Sequence, residues 1–203
     1  TGRVHEELAT PFPAIEADWT AADQRSVTAA GTGNDAVLVQ RSLLRAWEDV
    51  PNGATAAAFT PDQQFVLCGG GDGKIRQWNL ADGTLTRMFD GHTGPVTEVA
   101  MCPNSQLVCS ASEDKTLRIW AADDGSLKHS IGHPQPVRSV SVSADSTRAA
   151  TACGDGIIRV WEVSTGRLLE SFAEHTAGTA ASSVRYQNDG LTLFSVGDDK
   201  TVK

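Results

Sequence analysis

Short apolar runs separated by turn residues follow one another along most of this chain. The stretch from Val96 reads VTEVAM, LVCSAS, TLRIWA and SLKHSI, with Pro, Asn, Asp or Gly in the segments between these runs. Alternating or β-branched runs of this length are typical of half-buried β-strands, and the intervening residues are those that tight turns require. No segment has the period of an amphipathic helix. The pattern therefore predicts an all-β protein.

The same four runs recur at a fixed distance along the chain. They begin again at Ala54 and at Val137, and the third run of each copy carries a tryptophan, at positions 78, 120 and 161, which are 42 and 41 residues apart. A unit of this size cannot bury its apolar face alone, so successive copies must stack and share a core. We expect each copy to form a four-stranded antiparallel meander that packs against its neighbours.

Two weaker copies extend the array at either end. The copy from Ala181 follows the template through three runs, up to two residues before the tryptophan position. The copy from Ile15 has Val39 in place of the tryptophan, and its Trp19 falls close to a slot that is apolar in the other copies, which favours a core position for Trp19. We therefore expect a single array over residues 1–203, with repeats that start near residues 15, 54, 96, 137 and 181.

Three residues recur in register before and within the strongest copies. Gly91, His92 and Val96 form the pattern GH-x3-V, which returns at residues 132, 133 and 137, and an aspartate precedes each repeat tryptophan by six residues. On these residues the chain resembles the WD-repeat (WD40-type) β-propeller family. The resemblance implies a β-propeller of four-stranded antiparallel blades around a central channel, with about five blades' worth of repeats in this chain.

The resemblance also implies a hydrogen-bonded set of His, Ser or Thr, Asp and Trp inside each blade. A buried imidazole and a buried indole N–H both need partners, and the hydroxyl and the carboxylate supply them. The sets that carry over are His92, Ser110, Asp114 and Trp120; His133, Thr151, Asp155 and Trp161; His175, Ser195 and Asp199; and Asp72 with Trp78. In the last set Val50 stands in place of the histidine and Cys68 in place of the serine, which weakens the expected network of that blade.

The segment Thr1–Leu8 resembles the turn and fourth strand of a repeat, because TGRVHEEL aligns with TGRLLESF of residues 165–172. We expect residues 1–8 to be the fourth strand of a blade whose first three strands are 181–203 or lie in upstream sequence. Two closures follow: a five-bladed ring sealed by residues 1–8, or a segment of a larger, seven-bladed propeller. An open arc would leave two unpaired sheet edges.

Charge and cysteine usage narrow the classes of partner and compartment. The net charge is −8, and the 17 Lys and Arg residues are scattered, which disfavours nucleic acid as a partner. No apolar run is long enough to cross a membrane, so a soluble protein is expected. The four cysteines have no C-x-x-C spacing, so they predict buried free thiols rather than zinc ligands and slightly favour the cytoplasm.

Three patterns that suggest chemistry are better explained by structure. The Ser, His and Asp residues recur at the repeat period beside a tryptophan, whereas a hydrolase needs one exposed triad. GGGDGK at residues 69–74 is followed by Ile75 and lies between two strands, unlike a phosphate-binding loop. The Asp-rich segments 122–125 and 197–200 are ordinary hairpin turns. We expect no enzyme activity, no metal and no cofactor.

Function is then expected at the loop faces. In the family, partner contacts concentrate at the residue before the conserved aspartate and around the start of the first strand. The positions that carry over are Glu113, Thr97, Pro95, Arg138, Pro136, Asp198, Ser182 and Thr55. The resemblance implies a noncatalytic scaffold for protein partners, with no nucleic acid, no membrane insertion and possible assembly with further propeller sequence.

Two alternatives to a scaffold remain. The first is a propeller that binds a ligand or catalyses a reaction in its channel, where mainly Ala, Val, Ser and Thr are expected. The second is a targeting segment of a larger multidomain enzyme.

Overall fold

A computed structural model of the protein describes residues 50–203, together with four backbone strands at positions 14–19, 26–30, 36–40 and 43–47. In residues 50–203 every regular element is a β-strand or an isolated bridge, and no helix occurs. The strands form successive antiparallel sheets in chain order, which we call blades I to V. The all-β prediction of four-stranded antiparallel blades is confirmed.

The first two blades cover the chain up to residue 90. Blade I contains β1 (Ala14–Trp19), β2 (Ser26–Ala30), β3 (Ala36–Gln40) and β4 (Leu43–Trp47), and blade II contains β5 (Ala54–Phe59), β6 (Phe65–Gly70), β7 (Lys74–Asn79) and β8 (Leu85–Asp90). Each strand pairs with the next in sequence, as short turns between neighbouring strands dictate. The backbone of blade I is thus a four-stranded meander, although no tryptophan occupies the repeat position at Val39.

The remaining blades repeat this plan. Blade III contains β9 (Val96–Met101), β10 (Leu107–Ser112), β11 (Thr116–Ala121) and β12 (Leu127–Gly132), and blade IV contains β13 (Val137–Val142), β14 (Arg148–Cys153), β15 (Ile158–Glu162) and β16 (Leu168–Phe172). Blade V contains β17 (Ala181–Tyr186) and β18 (Leu193–Gly197). Residues 201–203 run antiparallel to β18 through a bridge between Val196 and Val202.

The hydrophobic core lies between neighbouring blades. Leu67 and Phe89 of blade II share one cluster with Val96 and Trp120 of blade III, and Leu117 of blade III belongs to the next cluster with residues of blade IV. In blades II to IV the second and third strands are mostly buried, whereas the fourth strands β8, β12 and β16 are largely exposed. The first strands therefore lie toward the centre and the fourth strands at the periphery. Each buried aliphatic side chain contributes about 1.5–3 kcal/mol, so the blades stabilise one another.

Two glycines allow the loop before one blade to pass close to a turn of the preceding blade. Gly73 and Gly156 have φ of 80°, and a Cβ would lie 2.6 Å from the carbonyl oxygen of His92 at Gly73 and 2.5 Å from that of Thr179 at Gly156. A larger residue would meet both a steric clash and an unfavourable left-handed backbone. These glycines hold the loops before blades III and V in place.

Several expectations fall on residues that the structure does not describe. Pairing of residues 1–8 with 200–203 would decide between the closed ring and the larger propeller, and residues 1–8 lie outside the described residues. Trp19 ends β1, but its side chain also lies outside them. Among the residues of the equivalent slot, Phe59, Met101 and Val142 are half-buried and line a central cavity.

Candidate functional site

The polar set of blade III is complete. His92 bonds Asp114 through Nδ1, with 2.8 Å to Oδ2, and bonds Ser110 through Nε2, with 2.7 Å to Oγ. The indole N–H of Trp120 donates to the same Ser110 oxygen at 2.9 Å. Because a carboxylate only accepts, Nδ1 carries the imidazole proton, and Ser110 donates to Nε2 while it accepts from the indole. The chain of bonds ties the loop before the blade to its second and third strands.

Burial and hydrogen bonding together set the charges of this set. It lowers the pKa of His92, although the hydrogen bond and charge of Asp114 act in the opposite direction. Burial also tends to raise the pKa of Asp114, but hydrogen bonds from Thr116, His92 and the backbone N–H of Thr93 hold it at about 2. At neutral pH the imidazole is neutral and the carboxylate is ionised. Neither the hydroxyl nor the imidazole is exposed to a substrate.

Blade V repeats the arrangement of blade III. His175 lies 3.1 Å from Asp199 through Nδ1 and 2.9 Å from the Ser195 hydroxyl through Nε2. The backbone N–H of Thr176 and the hydroxyl of Thr201 donate to Asp199 at 2.9 and 2.8 Å. The residue after the histidine and the residue two after the aspartate therefore both help to hold the carboxylate.

In blade IV the aspartate does not join the set expected from the sequence. His133 Nε2 and the Trp161 indole both lie 3.0 Å from the Thr151 hydroxyl, but His133 Nδ1 lies 3.2 Å from the carbonyl oxygen of Ile131. Asp155 instead forms a bidentate pair with Arg159, at 2.7 and 3.2 Å. One physical reason is Pro134, which follows His133 and has no N–H to offer the carboxylate.

Blade II replaces the polar set with apolar contacts. Val50 and Cys68 stand where other blades have His and Ser, and both pack in one buried cluster with Trp78. Asp72 pairs with Arg76 at 2.7 and 3.1 Å. Because both polar partners are replaced together, neither a histidine nor a serine is left buried without the other.

The sequence distinguishes the blades whose aspartate binds histidine from those whose aspartate binds arginine. The aspartates that bind histidine are followed two residues later by Thr116 or Thr201, whose hydroxyls donate to them. The aspartates that bind arginine are followed by Lys74 or Ile157 at that position. The pattern Asp-x-Thr therefore accompanies the histidine-bound state, a distinction that the spacing of His, Ser, Asp and Trp alone does not make.

The loops predicted to form a partner face are joined by backbone hydrogen bonds. The residue before the aspartate donates its N–H to the loop that precedes the first strand of the same blade. The bonds run from Gly71 to Gly53 at 2.9 Å, from Glu113 to Pro95 at 3.0 Å, from Gly154 to Pro136 at 2.8 Å and from Asp198 to Ala180 at 2.9 Å. In blades II to V both loop sets therefore lie at the same end of the blade, and we call this end the loop face.

The predicted partner residues differ in how accessible they are. The hydroxyls of Thr97 and Thr55 donate to the carbonyl oxygens of Val137 and Gly69, at 2.6 and 2.9 Å, so they serve the fold. Ser182 donates to Asp198 at 2.7 Å. Pro95 and Pro136 are half-buried, whereas Arg138, Glu113 and Asp198 are exposed. The exposed charged side chains are the members of the set best placed to meet a partner.

The repeats are those of a known family. The family model described as "WD domain, G-beta repeat" (WD40) matches residues 45–79, 83–121, 125–162 and 166–203, which is more than half of the chain. The chain belongs to the WD40 family. Each matched WD40 repeat from residue 83 onward starts ahead of the fourth strand of one blade and runs through the third strand of the next, up to residue 203 for the last repeat.

Two known proteins show the extent of the likeness. The Periodic tryptophan protein 2 homolog of Dictyostelium discoideum is 45% identical over 42 residues, which cover 21% of this chain and 5% of that protein. The crystal structure of the computationally designed Ika8 protein superposes with a TM-score of 0.77 at 25% identity, over 92% of this WD40 chain and 56% of that chain. The chain thus spans a small part of the first and about half of the second.

The first strands of the WD40 blades carry an ion pair that sequence reasoning missed. Glu98 of β9 is buried and lies 2.5 Å from Arg185 of β17, two blades away, and it accepts a bond from the backbone N–H of Val140 at 2.8 Å. Arg185 also donates to Ser139 of the blade between them, at 3.2 Å. The expectation of mainly Ala, Val, Ser and Thr at the centre therefore omitted its charged groups.

Other candidate chemistry has little support in the described part of the WD40 chain. Between residues 50 and 203, no group of three metal-ligating side chains comes together. Cys68, Cys102, Cys109 and Cys153 are buried free thiols, and burial raises the pKa of Cys68 to about 12. A thiol with such a pKa is a poor nucleophile. Among the described residues no helix is long and apolar enough to cross a membrane.

Proposed function

We propose that this WD40 chain is a noncatalytic scaffold that binds a protein partner through its loop face. WD40 repeats generally mediate protein–protein interaction. The observation that carries the proposal is the burial of every hydroxyl and imidazole of the described polar sets inside the blades, which makes none of them available as an exposed nucleophile or base. The exposed chemistry of the loop face is charge, on Arg138, Glu113 and Asp198.

The partner is a protein rather than a polyanion. The net charge of −8 opposes nucleic acid and anionic lipid surfaces. The loop face carries both an exposed guanidinium and exposed carboxylates, so a partner surface with a complementary arrangement of charges fits it. Arginine is also frequent at the energetically important centre of interfaces, which makes Arg138 the first residue to test.

The test compares two exposed arginines in the same blade. Arg138 lies on the loop face, whereas Arg167 precedes β16 at the opposite end of blade IV. Affinity capture from an extract of the source cells, followed by calorimetry with the purified partner, should show that Arg138→Glu weakens binding at least tenfold and that Arg167→Glu leaves it unchanged. Equal binding by both variants, or capture of no protein by the parent chain, would contradict the proposal.

A further inference from the structure

The central edges of the first strands expose main-chain polar groups in a regular way. β9 and β13 are the end strands of their sheets. The N–H of Cys102 donates to Leu107 at 2.9 Å, and that of Ser143 donates to Arg148 at 2.9 Å. In an antiparallel pair the orientation alternates from one residue to the next. Met101 and Val142, one residue earlier, therefore direct both N–H and C=O away from their sheets and toward the neighbouring blade.

At other positions along these first strands a side chain of the preceding blade caps such N–H groups. The N–H of Tyr186 donates to the hydroxyl of Ser141 at 3.0 Å, and that of Val184 donates to the hydroxyl of Ser139 at 3.1 Å. Glu98 does the same for Val140. A capping oxygen from the neighbouring first strand thus satisfies these three edge groups.

At Met101 and Val142 the capping residue is missing. The position that Ser141 holds as the fifth residue of β13 is held by Ala58 in β5 and by Ala100 in β9. A methyl group accepts no hydrogen bond. Within residues 50–203, no side chain or loop carbonyl accepts a bond from either N–H.

Both uncapped residues line one central cavity. It has a volume of about 380 Å³, within the range of small-molecule pockets, and its walls include the apolar side chains of Phe59, Met101 and Val142. Glu98 and Arg185 also line it and form an ion pair with each other. The described part of its lining therefore combines apolar side chains, uncapped main-chain donors and one ion pair of opposite charges.

We propose that this central cavity is a binding site for a small neutral amide with an apolar body. An edge residue that presents N–H and C=O side by side is complemented by a group that both accepts and donates, as another amide does in an antiparallel strand. A carboxylate offers no donor to the carbonyl oxygens and would lie near Glu98. The apolar body packs against Phe59, Met101 and Val142. The site does not depend on the proposed loop-face interaction.

Titration of the ¹⁵N-labelled full chain with benzamide tests the site. We expect the amide resonances of Met101 and Val142 to shift in a saturable way with a Kd of about 1 mM, as is reasonable for so small a ligand. Benzoate, which has no donor, and ethylbenzene, which has no polar group, should bind at least tenfold more weakly. Shifts confined to other residues, or equal binding of benzoate, would overturn the proposal.

Serine variants provide the decisive control. In Ala58→Ser and Ala100→Ser the new hydroxyls can cap the N–H groups of Met101 and Val142, as Ser141 caps that of Tyr186. The double variant should therefore bind benzamide at least tenfold more weakly. It should also unfold at the same or a higher Tm. Ala81→Ser, in an exposed turn of blade II, should leave binding unchanged.

Removal of a natural cap should have the opposite effect. In Ser141→Ala the amide of Tyr186 should join the residues that benzamide perturbs. Undiminished binding by the folded double serine variant would refute the role of the uncapped groups, whatever the outcome at the loop face.

Discussion

At the scale of single residues, His133 differs most from its counterparts in blades III and V. Its Nδ1 faces a carbonyl oxygen rather than a carboxylate. Burial lowers the pKa of His133 to about 4, the carbonyl of Ile131 raises it, and the charges of Arg159 and Asp155 act in opposite directions. The imidazole is therefore held neutral with no direct ionic partner.

This histidine should make the protein sensitive to mild acid. Its pKa is lower in the folded than in the unfolded chain, so the unfolded chain binds more protons between about pH 6.5 and pH 4. Stability is complete above pH 6.5 and should fall by up to about 3 kcal/mol as the pH drops to 4. Urea unfolding at pH 7 and pH 4.5 measures the loss.

The variant His133→Gln isolates this contribution, since His92, whose pKa burial also lowers, remains in both proteins. The difference in unfolding free energy between the parent and the variant should shrink as the pH falls. A constant difference across this range would contradict the assignment.

A second prediction concerns why Asp155 pairs with Arg159. The double variant Pro134→Thr, Ile157→Thr supplies the two donors that hold the carboxylate near histidine in blades III and V. Asp155 should then turn toward His133. The pKa of His133 should rise, because a neighbouring carboxylate favours the imidazolium. NMR titration of the His133 ring protons measures the pKa. Ala144→Ser, in an exposed turn of the same blade, is the control, and an unchanged His133 titration in the double variant would argue against this account.

At the scale of elements, the strands are stabilised mainly by apolar side chains that are buried between neighbouring blades. Leu117 of β11 is fully buried against blade IV, whereas Leu127 of β12 is 43% exposed. Leu117→Ala should lower the unfolding free energy by about 2–5 kcal/mol through lost burial and a cavity. Leu127→Ala should cost less than about 1 kcal/mol. Denaturant unfolding of the two variants makes the comparison, and similar losses would show that the core is not shared as described.

The strands were the easiest part of the fold to predict from the sequence. Alternation, turn residues and the tryptophan period depend on neighbours along the chain, and they located β5 to β18 closely. The choice of partner by Asp155 was not foreseen, because it depends on the missing N–H of Pro134 and on the residue two positions after the aspartate. The ion pair of Glu98 and Arg185 was harder still, since it joins residues of two blades that are separated by a third.

At the scale of the whole molecule, that ion pair connects three consecutive blades. Glu98 is buried, and the guanidinium of Arg185 together with the Val140 N–H compensates its charge. Arg185→Ala should destabilise the protein by about 1–3 kcal/mol, because it removes a cation that contacts the buried carboxylate. Arg138→Ala, which removes an exposed arginine, should cost less than about 0.5 kcal/mol.

Thermal unfolding and denaturant titration measure these losses. Adding Glu98→Gln to Arg185→Ala should recover part of the stability, since a buried charge that has lost one of its partners is then removed. If Arg185→Ala loses no more unfolding free energy than Arg138→Ala, the ion pair does not stabilise the packing of blades III to V.

The sharing of a core between successive blades has a consequence for how such a chain changes in length. Because the interface between one pair of blades resembles the next, excision or duplication of one full period would bring together surfaces of the same kind. Removal of half a period would instead oppose unlike surfaces and expose buried side chains. Apart from the Glu98–Arg185 pair, which joins blades III and V, stability is then approximately a sum over nearest-neighbour contacts. The number of blades can therefore vary in whole steps while the packing of each junction is retained.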